Sequence, residues 1–228
     1  MVQVKESAEP ERGARTYVSP VRAAAARQTR QAILAAAAHL FVTGGYEAAS
    51  LRQIADVAGV ARPTVTAVFG SKAAILKAAL DEALAGDDES VPVAQRPWFR
   101  PVLDARTRTE LVRAYAAVCG LIGERAATLF EVARRAADVG PDTHALWEST
   151  VANRRSGAGM VGRRLAEIEP GQWPEGSPQL ERAIDGIWLL NDPAHYAALV
   201  TRRAWSEDQY RAWLSGQLAA AIAAAEIG

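Results

Sequence analysis

Cysteine is almost absent from the chain. Cys119 stands alone among 228 residues, so no internal disulfide can form and a cysteine-built zinc site is excluded. Histidine is nearly as scarce. His39, His144 and His195 lie far apart in sequence and form no recognised metal-ligand spacing, so neither a metal site nor a cofactor is expected. Long apolar runs are missing too. The longest stretches are interrupted by Arg, Glu or Asp well short of a membrane-spanning length, and the first residues hold no apolar segment of the secretory kind. These absences make a cytoplasmic protein without a membrane partner the expectation. Catalytic signatures are equally lacking: there is no nucleophile elbow, no phosphate-cradling glycine loop and no pair of acids in a catalytic motif. The chain is therefore not expected to be an enzyme. A helical enzyme, or a small-molecule-binding protein with no regulatory role, stays open as the alternative, because catalytic groups can be scattered over a fold.

What is present is apolar, rich in alanine and punctuated at helical intervals. Half of the residues are hydrophobic and 23% are charged, enough to build a sizeable core. Net charge is zero, but it is unevenly placed. Between Arg12 and Leu80 stand nine bases, including Arg22, Arg27, Arg30, Arg52, Arg62, Lys72 and Lys77, against the two acids Glu47 and Asp56. Such a head suits a polyanion, and the remainder of the chain carries the compensating negative charge. A solvated basic face is the plainer reading of the same count.

Residues 1–18 are polar and aperiodic and read as a mobile arm, and Arg12, Arg15 and Arg22 read as a solvated tail ahead of minor-groove readers. Ser19-Pro20 reads as a cap and first turn, opening a helix to about Val42 with Ile33, Ala37, Leu40 and Phe41 on its apolar face. Gly44-Gly45 ends it. Ser50 with Gln53 is a capping box for a second, short helix, which Gly59 terminates. A third covers Arg62 to about Phe69, and Ser71 caps a fourth. Gly86 to Pro101 holds three prolines and an acidic run (Asp87, Asp88, Glu89) and reads as a link. Beyond it helices are expected over Thr109 to Ala126, from there to Val139, over Thr143 to Ile168, over Gln179 to Leu190, briefly after Asp192-Pro193, and from Ser206 to the end. The fold class is all-α with nine or ten helices.

Two short helices joined by a glycine-containing turn at the edge of a basic region form a helix-turn-helix pattern. Ala55 is small where the two helices approach, Gly59 allows the turn, and Val65 and Phe69 anchor the second helix from below. The stretch RQAILAAAAHLFVTGGYEAASLRQIADVAGV followed by ARPTVTAVFGSKAAILKAAL resembles the DNA-binding head of the TetR family. LLNDPAHYAALVTRRAWSEDQYRAWL more loosely resembles the segment leading into the last helix of some members.

The resemblance implies a homodimer that binds a palindromic operator on double-stranded DNA as a repressor and is released by a small-molecule effector. It implies a three-helix helix-turn-helix head over residues 19–85 and a ligand-binding and dimerisation bundle over 86–228. It places Ser50 and Lys72 on the phosphate backbone and Arg62, Thr64, Thr66 and Ala67 toward the major groove. Arg27, Arg30, Leu51, Arg52, Pro63 and Ser71 complete the expected DNA-binding set. Three departures weaken direct base contact: Ala61 replaces the usual hydroxyl cap, Thr66 stands where an aromatic is common, and Ala67-Val68 replace polar residues. Thr66 and Ala67 are then suited to thymine methyl groups. In the body, Tyr115, Cys119, Phe130, Arg134, Trp147, Asn153 and Trp188 are the expected lining of the effector cavity. Ile184, Leu214, Leu218 and Ile222 are the expected dimer interface.

Overall fold

The computed structural model describes residues 20–87 and 91–227, and among these it contains ten α-helices and no strand. The arm with Arg12 and Arg15, the cap Ser19, and Asp88 and Glu89 of the link lie outside the described residues.

Four helices build the head. α1 spans Pro20–Gly44, α2 Leu51–Ala58, α3 Arg62–Phe69 and α4 Lys72–Ala85. Ile33, Ala37 and Phe41 of α1 meet Ile54 and Ala55 of α2, Val65 of α3 and Ile75, Leu76 and Leu80 of α4 in one core. Gly59 ends α2 with φ +67°, a left-handed conformation that favours glycine, and its N–H reaches back to the carbonyls of Ala55 and Asp56.

The link is more structured than its prolines predict. Val93–Gln95 and Pro97–Phe99 form 3-10 turns, and α5 (Arg100–Asp104) follows without a gap. Pro97 and Pro101 occupy opening positions of these turns, where a missing N–H costs nothing. Phe99 and Val102 then anchor the link in the core of the body.

The body consists of α6 (Arg108–Ala136), α7 (Pro141–Ile168), α8 (Pro178–Leu190), α9 (Pro193–Tyr196), a π-helical turn over Ala197–Arg202 and α10 (Glu207–Ile227). α10 packs on α6 and α8, and α7 packs on α6 and α8. Arg108 at the start of α6 binds Glu169 after α7 and Glu226 near the end of α10, tying one end of the bundle together.

Two expectations are corrected here. The two helices expected between Thr109 and Val139 are one helix of 29 residues. Its interior glycines are packing sites rather than breaks: a Cβ on Gly123 would lie 2.6 Å from the Cβ of Tyr196. The Tyr196 ring stacks edge-on against Tyr210 with centroids 5.2 Å apart, so it has little room to retreat. Alanine normally improves a helix by about 1 kcal/mol over glycine. Gly123→Ala is nonetheless expected to lower stability by about 1–3 kcal/mol through overpacking, read from the midpoint of urea unfolding. An unchanged or raised midpoint would show that the close approach does not constrain α6.

The second correction concerns the dimer residues. Leu214, Leu218 and Ile222 are at most 1% exposed and Ile184 is buried with them in the protomer's own core. They hold α10 and α8 onto α6 and α7, so they have no surface to offer a second chain.

The expected boundary between head and body falls between residues 85 and 86. The head core continues across it into Ala126, Leu129, Phe130 and Ala133 of α6 and Leu146 of α7. Head and body share apolar packing, which gives a displacement in one a direct mechanical route to the other.

Candidate nucleic-acid interface and effector cavity

α3 begins at Arg62, with Ala61 as a cap that supplies no side-chain hydrogen bond and Pro63 in the first turn. Val65 is buried, Phe69 and Thr64 are half-buried, and Arg62, Pro63, Thr66 and Ala67 are exposed. At about 100° per residue, Pro63, Thr66 and Ala67 lie near the middle of the outward face and Arg62 lies at its edge. Among the described residues Arg62 makes no hydrogen bond or ion pair. The outward face thus offers methyl and methylene groups and the Thr66 hydroxyl at its centre and one long donor at its rim.

A capping box opens α2. Ser50 accepts from the Gln53 N–H at 3.2 Å, and Gln53 Oε1 accepts from the Ser50 N–H at 2.9 Å. The Ser50 hydroxyl is therefore engaged in the cap, and the first-turn N–H groups of Leu51 and Arg52 are left facing outward to meet an anion. Arg52 is highly exposed and 3.9 Å from Asp56, a pairing too loose and solvated to withhold it from a phosphate. Arg27 and Arg22 are exposed along α1.

Lys72 and Arg30 are placed otherwise than expected. Lys72 Nζ donates to the carbonyls of Tyr46 at 2.7 Å and Ala49 at 2.9 Å, with Glu47 O at 3.5 Å, and lies 4.1 Å from the centroid of the Tyr46 ring. Burial lowers its pKa, and Glu47 partly opposes that. Its ammonium closes the loop between α1 and α2 instead of projecting from it. Ser71 beside it caps α4 by accepting from the Ala74 N–H at 3.1 Å. Lys72→Met removes the donor that serves these carbonyls. It should destabilise the head by about 1–3 kcal/mol in urea unfolding, and an unfolding curve identical to the parent's would overturn this structural assignment. Arg30 stacks on the Phe69 ring at 4.5 Å, beneath α3, and reaches a cavity on the inner side of the head.

That cavity has a volume of about 720 Å³ and is walled by both parts of the molecule. α1 contributes Leu34 and α4 contributes Lys77, Ala78, Asp81 and Glu82; the link adds Val91 and Val93. α6 supplies Tyr115, Cys119 and Phe130, and α7 supplies Leu146, Thr150, Asn153, Arg154 and Met160. The volume falls in the range of small-molecule sites, and so does the mixture of apolar wall and few polar groups.

Of the residues expected to line it, Tyr115, Cys119, Phe130 and Asn153 do so. Arg134, Trp147 and Trp188 do not. Arg134 is outside on α6, bidentate to Glu131. Trp147 packs edge-on behind Phe130 with centroids 6.0 Å apart, and Trp188 is half-buried in the body core. Sequence reasoning missed Arg154 and Asn191. Arg154 is one of several arginines on α7, and only the fold sets it apart. Its Nε donates to Asn191 Oδ1 at 3.1 Å, one Nη to Trp188 O at 2.9 Å, and the other pairs with Asp192 at 3.0 Å. Burial pulls its pKa down, and the nearby Asp192 offsets part of that. Asn191 Nδ2 donates to the Tyr115 hydroxyl at 2.9 Å. Burial raises the Tyr115 pKa and pushes the Cys119 thiol up to about 12.

Residues 33–79 match the family model described as bacterial regulatory proteins, tetR family. The head is a TetR-family helix-turn-helix domain. A comparison with curated proteins found no match to the chain. The matched stretch runs from inside α1 to inside α4 and includes α2, α3 and the turn between them. Leu34, Lys77 and Ala78 belong to it and also line the cavity. The TetR-type head therefore carries the helix-turn-helix and also supplies a wall of the cavity. Among the described residues no helix is long and apolar enough to cross a membrane.

Proposed function

We infer that the chain is a dimeric, cytoplasmic, nucleoid-associated regulator that represses transcription from a palindromic operator and is released by a small molecule. The observation that carries this reading is the shared wall: a ligand in the cavity touches α1 and α4 of the very head that bears α3. Two states follow from it. In one, the heads of the two protomers present α3 at the spacing of successive major grooves. In the other, a filled cavity displaces α4 and with it α3. A coupling of about 1–3 kcal/mol between the two sites is enough for a several-fold to hundredfold change in operator affinity. No catalytic step belongs to this reading, and a thiol held at about 12 is too weakly ionised to serve as a nucleophile.

The test starts with selection of duplexes from a random library by the full chain, followed by removal of the gene in the cell. A repressor enriches a two-fold symmetric motif and raises transcription from the promoter carrying that motif when it is lost. No enriched motif would defeat the DNA-binding reading. A fall in transcription would make the protein an activator.

A further inference from the structure

The α7 end of the cavity carries a guanidinium. Arg154 is only 12% exposed at its side chain, yet it lines open space. A guanidinium carries five N–H donors, and Asn191, Trp188 and Asp192 take one from each nitrogen, leaving a donor on each Nη. Beside it the exposed Asn153 lines the same space, and its side chain makes no hydrogen bond among the described residues. One turn on, Gly157 offers no side chain, and a Cβ there would meet nothing within 4 Å. The hydroxyls of Ser149 and Thr150 are already spent on Leu146 O at 2.8 Å, so they do not compete for a ligand's polar group. The remaining walls near this end are apolar, with Phe130, Leu146 and Met160 facing the space.

The acids of the cavity come from the other side. Asp81 and Glu82 belong to α4, where Asp81 pairs with Lys77, and Asp87 follows α4 and pairs with Arg96. Asp192, the counter-ion of Arg154, uses its second oxygen to cap α9 at the Ala194 N–H, 2.9 Å away. It therefore meets the guanidinium through one oxygen, and one N–H on each Nη stays without a partner among the described residues. A carboxylate is the group that accepts two parallel N–H donors, and it does so most strongly away from bulk water.

On the reading that the cavity is the effector site, we propose that it takes an organic acid: an apolar or aromatic body against Phe130, Leu146 and Met160, with its carboxylate on Arg154 and Asn153. Asp192 competes with that carboxylate and sets its affinity.

The experiment uses the full chain without DNA, with binding read from tryptophan fluorescence and by calorimetry. The probes are 1-naphthoate and decanoate, each against its own neutral amide. Both acids should bind about tenfold more tightly than their amides, the gain of a charge-assisted pair over a neutral one. Arg154→Gln should abolish that preference, the acids losing about tenfold more affinity than their amides. Asp192→Asn keeps a capping side chain and should strengthen acid binding several-fold. It answers the question even if Arg154→Gln fails to fold. Amides binding as well as the acids, no acid binding below about 1 mM, or an unchanged acid-to-amide ratio in Asp192→Asn would each overturn the proposal. Acids that bind this way and never release an operator would sink the regulatory reading and leave the site assignment standing.

Discussion

Leu218→Asp is expected to unfold the body rather than to separate two folded protomers. Leu218 is 1% exposed and lies in one core with Leu214, Ile222, Ile187 and Tyr210. The substitution removes a buried side chain and places a carboxylate in an apolar site. Losing the leucine alone costs about 2–5 kcal/mol, and the unpaired acid adds several kcal/mol more. That total matches or exceeds much of the stability of an ordinary domain, about 5–15 kcal/mol. Circular dichroism at growth temperature should show loss of cooperative helical structure. The outward face of α10 behaves differently. Ala212, Gly216, Ala220 and Ala223 are exposed along one stripe of that helix, and Ile227 at its end is 90% exposed. Ala220→Glu should leave the helical signal intact and, on the dimer reading, halve the mass seen by light scattering. A folded, monomeric Leu218→Asp would contradict the placement of this residue in the core.

Arg62→Ala is expected to cost about 1–3 kcal/mol in operator affinity, roughly fivefold to 150-fold, concentrated at one base pair in each half-site. Arg62 is the one long donor on the exposed side of α3. It stands at the rim of a face whose centre is Pro63, Thr66 and Ala67, so most of the remaining discrimination falls to thymine methyl groups. Replacing thymine by uracil, position by position, should therefore weaken binding of the parent protein at several sites. At those sites the loss should be the same in Arg62→Ala. The rival account has Arg62 on a phosphate, with specificity arising from DNA shape. It requires a uniform loss over all sequences with an unchanged selected motif, and insensitivity to uracil.

The parts of the fold set by local rules were legible in the amino-acid sequence. The Ser50/Gln53 box, Gly59, Pro63 and Ser71 fix the ends of α2, α3 and α4 through contacts between residues a few positions apart. α6 is read from the sequence as two helices meeting at Ala126, whereas it is one, and its Gly120 and Gly123 are approached by Arg211 and Tyr196 from far along the chain. The dimer residues failed for a related reason. An apolar stripe shows that one face of a helix is covered, and Leu214 and Leu218 are covered by their own protomer. Lys72 was assigned to phosphate by position, although three carbonyls from the preceding loop converge on it. Arg154 was invisible because its role comes from Asn191, Asp192 and Trp188, which only folding brings beside it.

The central claim, that this chain recognises a symmetric DNA site through α3, is tested most directly by fluorescence anisotropy of a labelled duplex. The selected palindrome is titrated beside a scrambled duplex of the same composition at several salt concentrations. The palindrome should bind on the order of a thousandfold or more tightly than the scrambled duplex, saturating at two protomers per duplex. Log affinity should fall with log salt by about 0.9 for each phosphate neutralised. Equal affinity for the two duplexes, or a response flat in salt, would contradict it.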